Sequence, residues 1–134
     1  MSATAINVLD SQLDSEDAAA VLAAAWDVLE MTTGLCDAIA FDEGSDELQA
    51  MVAAQKCSEG RDLLPLPTTG GPVTAPPPEP GAAGLVPYVR LLEHVGGALA
   101  RLAAGRSEAE AQGLGRAGEL AAGAAAALAV VRGQ

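Results

Sequence analysis

The sequence is short of the residues that most catalytic and metal-binding sites need. It has a single histidine, His94, two cysteines and three aromatic residues (Trp26, Phe41 and Tyr88). One histidine excludes sites built from several imidazoles, and two cysteines cannot complete a tetrahedral zinc site unless acids or a second chain contribute. No P-loop, no strand-borne dinucleotide fingerprint and no Gly-x-Ser-x-Gly elbow is present. We therefore expect a protein that is not an enzyme and binds no cofactor or metal.

Basic residues are also scarce, and most of the acidic ones lie in the first half of the chain. Residues 1–64 contain 13 acidic residues but only Lys56 and Arg61, which gives −11, whereas residues 65–134 contain five of each sign. Nucleic acid and anionic membranes require a basic surface, so neither is expected as a partner. The acidity indicates either a surface for a basic protein partner or a means of keeping an alanine-rich chain soluble.

The sequence shows no recognisable signal peptide or membrane span. The first residues lack a basic region, and Asp10 and Asp14 interrupt their short apolar set. The longest uncharged apolar run, residues 120–131, has 12 residues and is too short to cross a bilayer. With two cysteines and no export signal, we expect a reducing, cytoplasmic location.

Proline is nearly absent outside one segment. Seven of the eight prolines lie in residues 65–81. Because proline lacks the backbone N–H and clashes with the preceding helical turn, residues 65–84 are predicted to be an extended Pro/Gly-rich linker. The linker separates an acidic helical hairpin, residues 14–64, from an Ala/Leu-rich helical hairpin, residues 85–132, within one domain. Residues 1–13 are interpreted as a ragged N-terminal tail that docks loosely.

Strand-like alternation is absent, whereas helical periodicity recurs in both hairpins. The first helix is predicted to begin at Asp14 or Ser15, either of which can cap it. The second is predicted to be capped by Ser45 and to fade near Gly60. The positions expected to face the core are Ala18, Leu22, Ala25, Leu29, Thr32, Cys36 and Ile39 in the first helix, and Leu48, Met51, Val52 and Gln55 in the second.

The second hairpin has clearer boundaries. Pro87 is acceptable in the first turn of the third helix, and Ser107-x-x-Glu110 is a capping box that begins the fourth. The glycines of the fourth helix each cost about 1 kcal/mol relative to alanine. Either they allow a neighbouring backbone to approach closely, or they reflect relaxed composition. The core positions are Leu85, Tyr88, Leu92, Val95, Leu99 and Leu102, followed by Leu114, Ala117, Ala121, Ala124, Leu128 and Val131.

These patterns predict an all-α protein, an antiparallel four-helix bundle built from two helical hairpins joined by the linker. Helix order and an exchange of hairpins between two chains are left open. Cys36 and Cys57 are interpreted as buried thiols, because the hairpin register leaves them about 10 Å too far apart for a disulfide. His94 is expected on the surface or at a flank; next to acids of the first hairpin it would be a pH-sensitive contact.

The functional hypothesis is a non-enzymatic protein–protein interaction or adaptor module whose acidic hairpin faces a basic partner. Self-association as a homodimer is compatible with it. The alternative is a small-molecule-binding bundle with an apolar core pocket. The candidate partner or ligand contacts are Trp26, Tyr88, His94, Asp42, Glu43, Asp46 and Glu47.

Overall fold

A computed structural model of the chain describes residues 2–39, 47–64 and 86–132. Within these ranges the chain forms five α-helices and no strand, which confirms the all-α class but not the predicted count of four helices. The linker and the Ser45 cap lie outside the described residues. The helices are α1 (Ser2–Leu13), α2 (Ala18–Ile39), α3 (Glu47–Asp62), α4 (Val86–Ala103) and α5 (Glu108–Arg132).

The additional helix is α1, so the interpretation of residues 1–13 as a ragged tail is wrong. Leu9 and Leu13 are 3% and 0% exposed, and α1 contacts α2 and α4. A helix of 12 residues is marginal in water on its own, so its formation depends on this docking. Two buried leucines one turn apart were too weak a pattern to predict it.

Helix α2 begins later than predicted, because the residues before it belong to α1 and to the connection between the two helices. The cap is Asp17: the N–H of Ala19 donates to Asp17 Oδ1 at 3.0 Å, and the N–H of Val21 donates to the Asp17 carbonyl at 3.1 Å. Asp14 and Ser15 instead lie in the connection between α1 and α2. The described core positions in the middle of α2 are buried as predicted, namely Ala25, Leu29, Thr32 and Cys36.

Helix α2 packs against three other helices. It contacts α1, α3 and α4, while α5 contacts α3 and α4. Buried residues occur on both sides of its main stripe, including Val21, Val28 and Leu35. The window Ala18–Cys36 is the one stretch of the described chain long and apolar enough to cross a membrane, and half of it is buried. A core helix of a soluble protein passes the same test, so this finding does not decide localisation.

Helix α3 presents a different face to the core from the one predicted. Leu48 and Met51 are 68% and 55% exposed. Small residues lie inward instead, and at one of them, Gly60, the neighbouring helices are in contact: an added Cβ would lie 3.4 Å from Leu29 Cδ1 and 3.5 Å from the Ala117 carbonyl oxygen. Leucine does not fit in such a gap. The buried residues of α3 are Ala50, Ala53, Ala54, Cys57 and Gly60.

Helices α4 and α5 meet at two glycines. A Cβ added at Gly96 would lie 3.2 Å from the Gly118 carbonyl oxygen, and one added at Gly118 would lie 3.2 Å from that of Gly96. Gly113 and Gly115 have nothing within 4 Å of the same position. Close approach therefore explains Gly118 but neither of these two neighbours.

Ser107 is confirmed as the cap of α5, whereas the return bond of the predicted capping box is not shown: Glu110 Oε2 lies 3.5 Å from Arg106 Nη1. The N–H of Glu110 donates to Ser107 Oγ at 3.4 Å, and the N–H of Ala111 donates to the Ser107 carbonyl at 2.8 Å. The start of α5 is thus set by local chemistry. Its described core positions are buried as predicted, namely Leu114, Ala117, Ala121, Ala124 and Leu128.

The two kinds of glycine in α5 predict opposite effects of substitution by alanine. Gly115→Ala is expected to stabilise the protein by up to about 1 kcal/mol, because alanine favours the helix and meets open space. Gly118→Ala is expected to be less stable than Gly115→Ala by about 1–3 kcal/mol, because its methyl group presses against the α4 backbone. Urea unfolding of both variants measures the difference. Equal stabilities would show that the α4–α5 crossing is not tightly packed.

Candidate functional site

The outward side of α3 carries large apolar side chains next to polar ones. We call Leu48, Met51, Val52, Gln55 and Glu59 the α3 outer face; their spacing of three and four residues places them along one side of the helix. Leu48 and Met51 are exposed, Val52 is half-buried, and Gln55 and Glu59 are exposed. Gln55 Nε2 donates to Glu59 Oε1 at 3.2 Å. The face is therefore apolar at its first turn and acidic toward its end.

Both basic residues of the first half of the chain contact other residues of the protein. Arg61 Nη1 lies 2.7 Å from Glu30 Oε2 of α2, and its Nη2 lies 3.1 Å from Asp62 Oδ1. Lys56 extends across α5: a Cβ added at Gly123 would lie 3.0 Å from Lys56 Cδ. Neither cation is among the residues of the α3 outer face, so this face keeps its acidic character.

Trp26 and Asp27 lie on α2, about one turn before Glu30. Trp26 is half-buried and packs against the core, so it is neither a fully buried core residue nor a protruding anchor. Burial raises the pKa of the Asp27 carboxyl, which is half-buried in the same turn. Both side chains are thus partly accessible to solvent on the first hairpin.

A second polar cluster joins α1 to α4. His94 Nδ1 lies 2.6 Å from Asp10 Oδ1, and Nε2 lies 2.8 Å from Asp14 Oδ1. Arg101 Nη2 donates to the Leu13 carbonyl at 2.8 Å and lies 4.0 Å from Asp14 Oδ1. We call His94, Asp10, Asp14 and Arg101 the His94 cluster. The His94 side chain is 23% exposed, so His94 lies at a flank, half-buried next to acids as in the pH-sensitive alternative.

The electrostatics of this cluster favour a charged imidazole. Burial by itself lowers the pKa of His94, but the hydrogen bonds to Asp10 and Asp14 and the charges of these carboxylates outweigh it, so the pKa is raised. Both ring nitrogens face carboxylate oxygens, which leaves no lone pair to accept a substrate proton. Within the described residues, no group of three or more His, Cys, Asp or Glu is arranged to hold a metal ion. The cluster is thus suited to holding two segments together.

The predicted contact residues are dispersed in the structure. Tyr88 is 2% exposed, with its pKa raised by burial, so it is a core residue of α4 that a protein partner cannot reach. Asp42, Glu43 and Asp46 lie outside the described residues, and Glu47 is the first residue of α3.

Sequence reasoning missed four residues of these sites. Leu48 and Met51 formed a visible apolar stripe, but a stripe alone does not say whether it faces inward or outward. Asp10 and Asp14 were placed in or beside a supposed tail, and only the docking of α1 brings them to His94. The signal available for the outward orientation of α3 was its second stripe of alanines.

The two cysteines are buried thiols, as predicted. Cys36 and Cys57 are each 0% exposed and form no disulfide. Burial, and secondarily the neighbouring Cys36, raises the pKa of the Cys57 thiol. A thiol that resists ionisation inside the core is a poor nucleophile.

Comparison with family models, with curated proteins and with solved structures gives no match for this chain.

The buried thiols predict slow modification of the native protein. We expect Cys36 and Cys57 to react with a disulfide reagent such as DTNB more than about a hundredfold slower in buffer than in denaturant, because reaction requires an opening of the core. The single variants Cys36→Ala and Cys57→Ala assign each rate. Rapid reaction of either thiol in buffer would contradict its burial.

Proposed function

We propose that the chain is a non-enzymatic interaction module whose α3 outer face binds a basic, amphipathic helical segment of a protein partner. The observation that carries this proposal is the orientation of α3, which exposes Leu48 and Met51 while burying alanines, Cys57 and Gly60. Large apolar side chains left in water lose the free energy that burial provides, about 1.5–3 kcal/mol for each fully buried side chain. A partner helix with an apolar face recovers it.

The charge distribution specifies the rest of the partner. Residues 1–64 carry a net charge of −11, and Glu59 follows the apolar part of the face toward the end of α3. Lysine or arginine flanking the apolar positions of a partner helix complements this charge. Such complementarity increases the association rate and suppresses acidic competitors more than it adds affinity. The negative charge also disfavours direct pairing of two α3 outer faces in a homodimer.

The described contacts support a two-hairpin arrangement. Helices α2 and α3 contact one another, as do α4 and α5, and α3 contacts α5. We propose that these four helices form the predicted antiparallel bundle, with α1 added across α2 and α4. In this arrangement the apolar faces of the four helices are buried within one chain. Light scattering on a sizing column is therefore expected to show a monomer.

A small-molecule site in the core stays a prediction that no observation favours. Two grooves described along α4 and α5, of about 580 Å³ and 330 Å³, lie at the surface and are lined largely by glycine and alanine. Tyr88 occupies the interior between the helices rather than the wall of either groove. A rise in melting temperature with a small ligand would revive this alternative.

The proposal predicts selective binding of a basic amphipathic peptide. The probe is a synthetic helix of leucine and lysine, compared with a peptide in which glutamate replaces every lysine. We expect the lysine peptide alone to bind, and binding to weaken at least about tenfold in the double variant L48S/M51S, because the apolar anchor is lost. Fluorescence anisotropy of the labelled peptides measures both affinities.

The matched control is Val8→Ser, which changes an apolar side chain of similar exposure, 49%, on α1. This variant is expected to bind like the wild type. Binding of the lysine peptide is also expected to weaken as salt is raised from low to physiological strength. Equal binding by wild type and L48S/M51S, or equal binding of the two peptides, would overturn the assignment of this face.

A further inference from the structure

The His94 cluster joins segments that are far apart in the sequence. Asp10 belongs to α1 and Asp14 to the connection that follows it, whereas His94 and Arg101 lie on α4. The two short contacts of His94 span 84 and 80 residues of chain. In the described structure, these contacts hold both the end of α1 and the connection to α2 against α4.

The two contacts of His94 with Asp10 and Asp14 favour one protonation state of the imidazole ring. An ionised carboxylate only accepts hydrogen bonds, and a neutral imidazole has just one N–H to donate. The side chains of Asp10 and Asp14 are 54% and 67% exposed. Two simultaneous contacts of 2.6 and 2.8 Å to carboxylate oxygens favour the imidazolium form, in which both nitrogens donate. Such charge-assisted bonds are stronger than neutral ones.

Apolar and polar contacts together hold α1 in place. Among its described side chains, those of residues 7–13, Leu9 and Leu13 are buried and Val8 is 49% exposed. Arg101 adds one bond to the Leu13 carbonyl. Because a helix of 12 residues does not persist alone in water, α1 is helical only while it is docked. The contacts of His94 therefore add to the burial of Leu9 and Leu13 in keeping α1 folded.

We propose that His94 is a proton-dependent clasp that keeps α1 docked on α2 and α4 in its imidazolium form and releases the helix when the ring loses its proton. Release exposes Leu9, Leu13 and the apolar surface of α2 and α4 beneath them. The device is independent of the α3 outer face, which belongs to a helix that is not part of the cluster.

The direction of the pH dependence follows from the charges around the ring. Asp10 and Asp14 favour the imidazolium, Arg101 competes for Asp14, and Arg90 and Glu93 flank His94 on α4. Helices α2 and α5 also pack against α4, but none of their charged groups in the described chain contributes to the pKa shift of His94. A histidine whose pKa is raised on folding stabilises the folded state fully below its unfolded value, about 6.5, and loses that contribution as pH rises through the folded value.

The test is hydrogen exchange of the α1 amides in the full-length protein, followed by mass spectrometry and corrected for the intrinsic pH dependence of exchange. As pH rises above about 6.5 we expect protection of α1 to fall relative to α5, by a factor of about ten for each unit by which folding raises the pKa of His94. In His94→Gln, α1 is expected to be weakly protected at every pH. A constant ratio of α1 to α5 protection in the wild type would overturn the proposal.

A second measurement separates the clasp from a merely structural role. The pKa of His94, followed by its ring NMR signals, is expected to fall in Asp14→Asn, because one carboxylate contact is lost. The matched control is Glu93→Gln, which removes a neighbouring charge that does not contact the ring, and it is expected to leave the pKa nearly unchanged. A pKa of His94 that is the same in Asp14→Asn and in the wild type would contradict the geometry, even if His94→Gln fails to fold.

Discussion

Close packing of small side chains is the constraint on which the rest of the structure depends. Where α4 crosses α5, only Gly96 and Gly118 separate the two backbones, and α3 meets α2 and α5 through Gly60 and small residues. Packing density in a protein interior leaves no room for larger side chains at such distances.

This constraint explains why sequence patterns predicted four of the helices but reversed the face of one. In α2, α4 and α5 the large apolar residues and the buried positions coincide, so periodicity identifies the core. In α3 the large residues Leu48 and Met51 compete with a stripe of alanines, and hydrophobicity ranks leucine above alanine. The close approach of α2 and α5 decides in favour of alanine, and that distance is a tertiary property which no local pattern contains.

The same reasoning accounts for α1. Its propensity and two buried leucines are too weak to predict a helix, and its docking depends on contacts with α4, which is more than 70 residues away in sequence. The caps show the contrast. Ser107 was predicted correctly because its capping bonds are local, whereas the cap of α2 moved to Asp17 once α1 occupied the preceding residues. Local capping could thus be predicted from the sequence, whereas long-range docking could not.

The acidic residues of the first half fall into two classes by what they contact. His94 pairs with Asp10 and Asp14, and Arg61 pairs with Glu30. Each pairing offsets the electrostatic cost of the carboxylates. Glu59 instead lies exposed beyond Leu48 and Met51, where pairing with a basic partner is still open to it. The net charge of −11 is thus not a uniform solubilising coat. Part of it contacts His94 between α1 and α4, and Glu59 lies beyond the apolar side chains that α3 exposes to solvent, which is consistent with the proposed docking face.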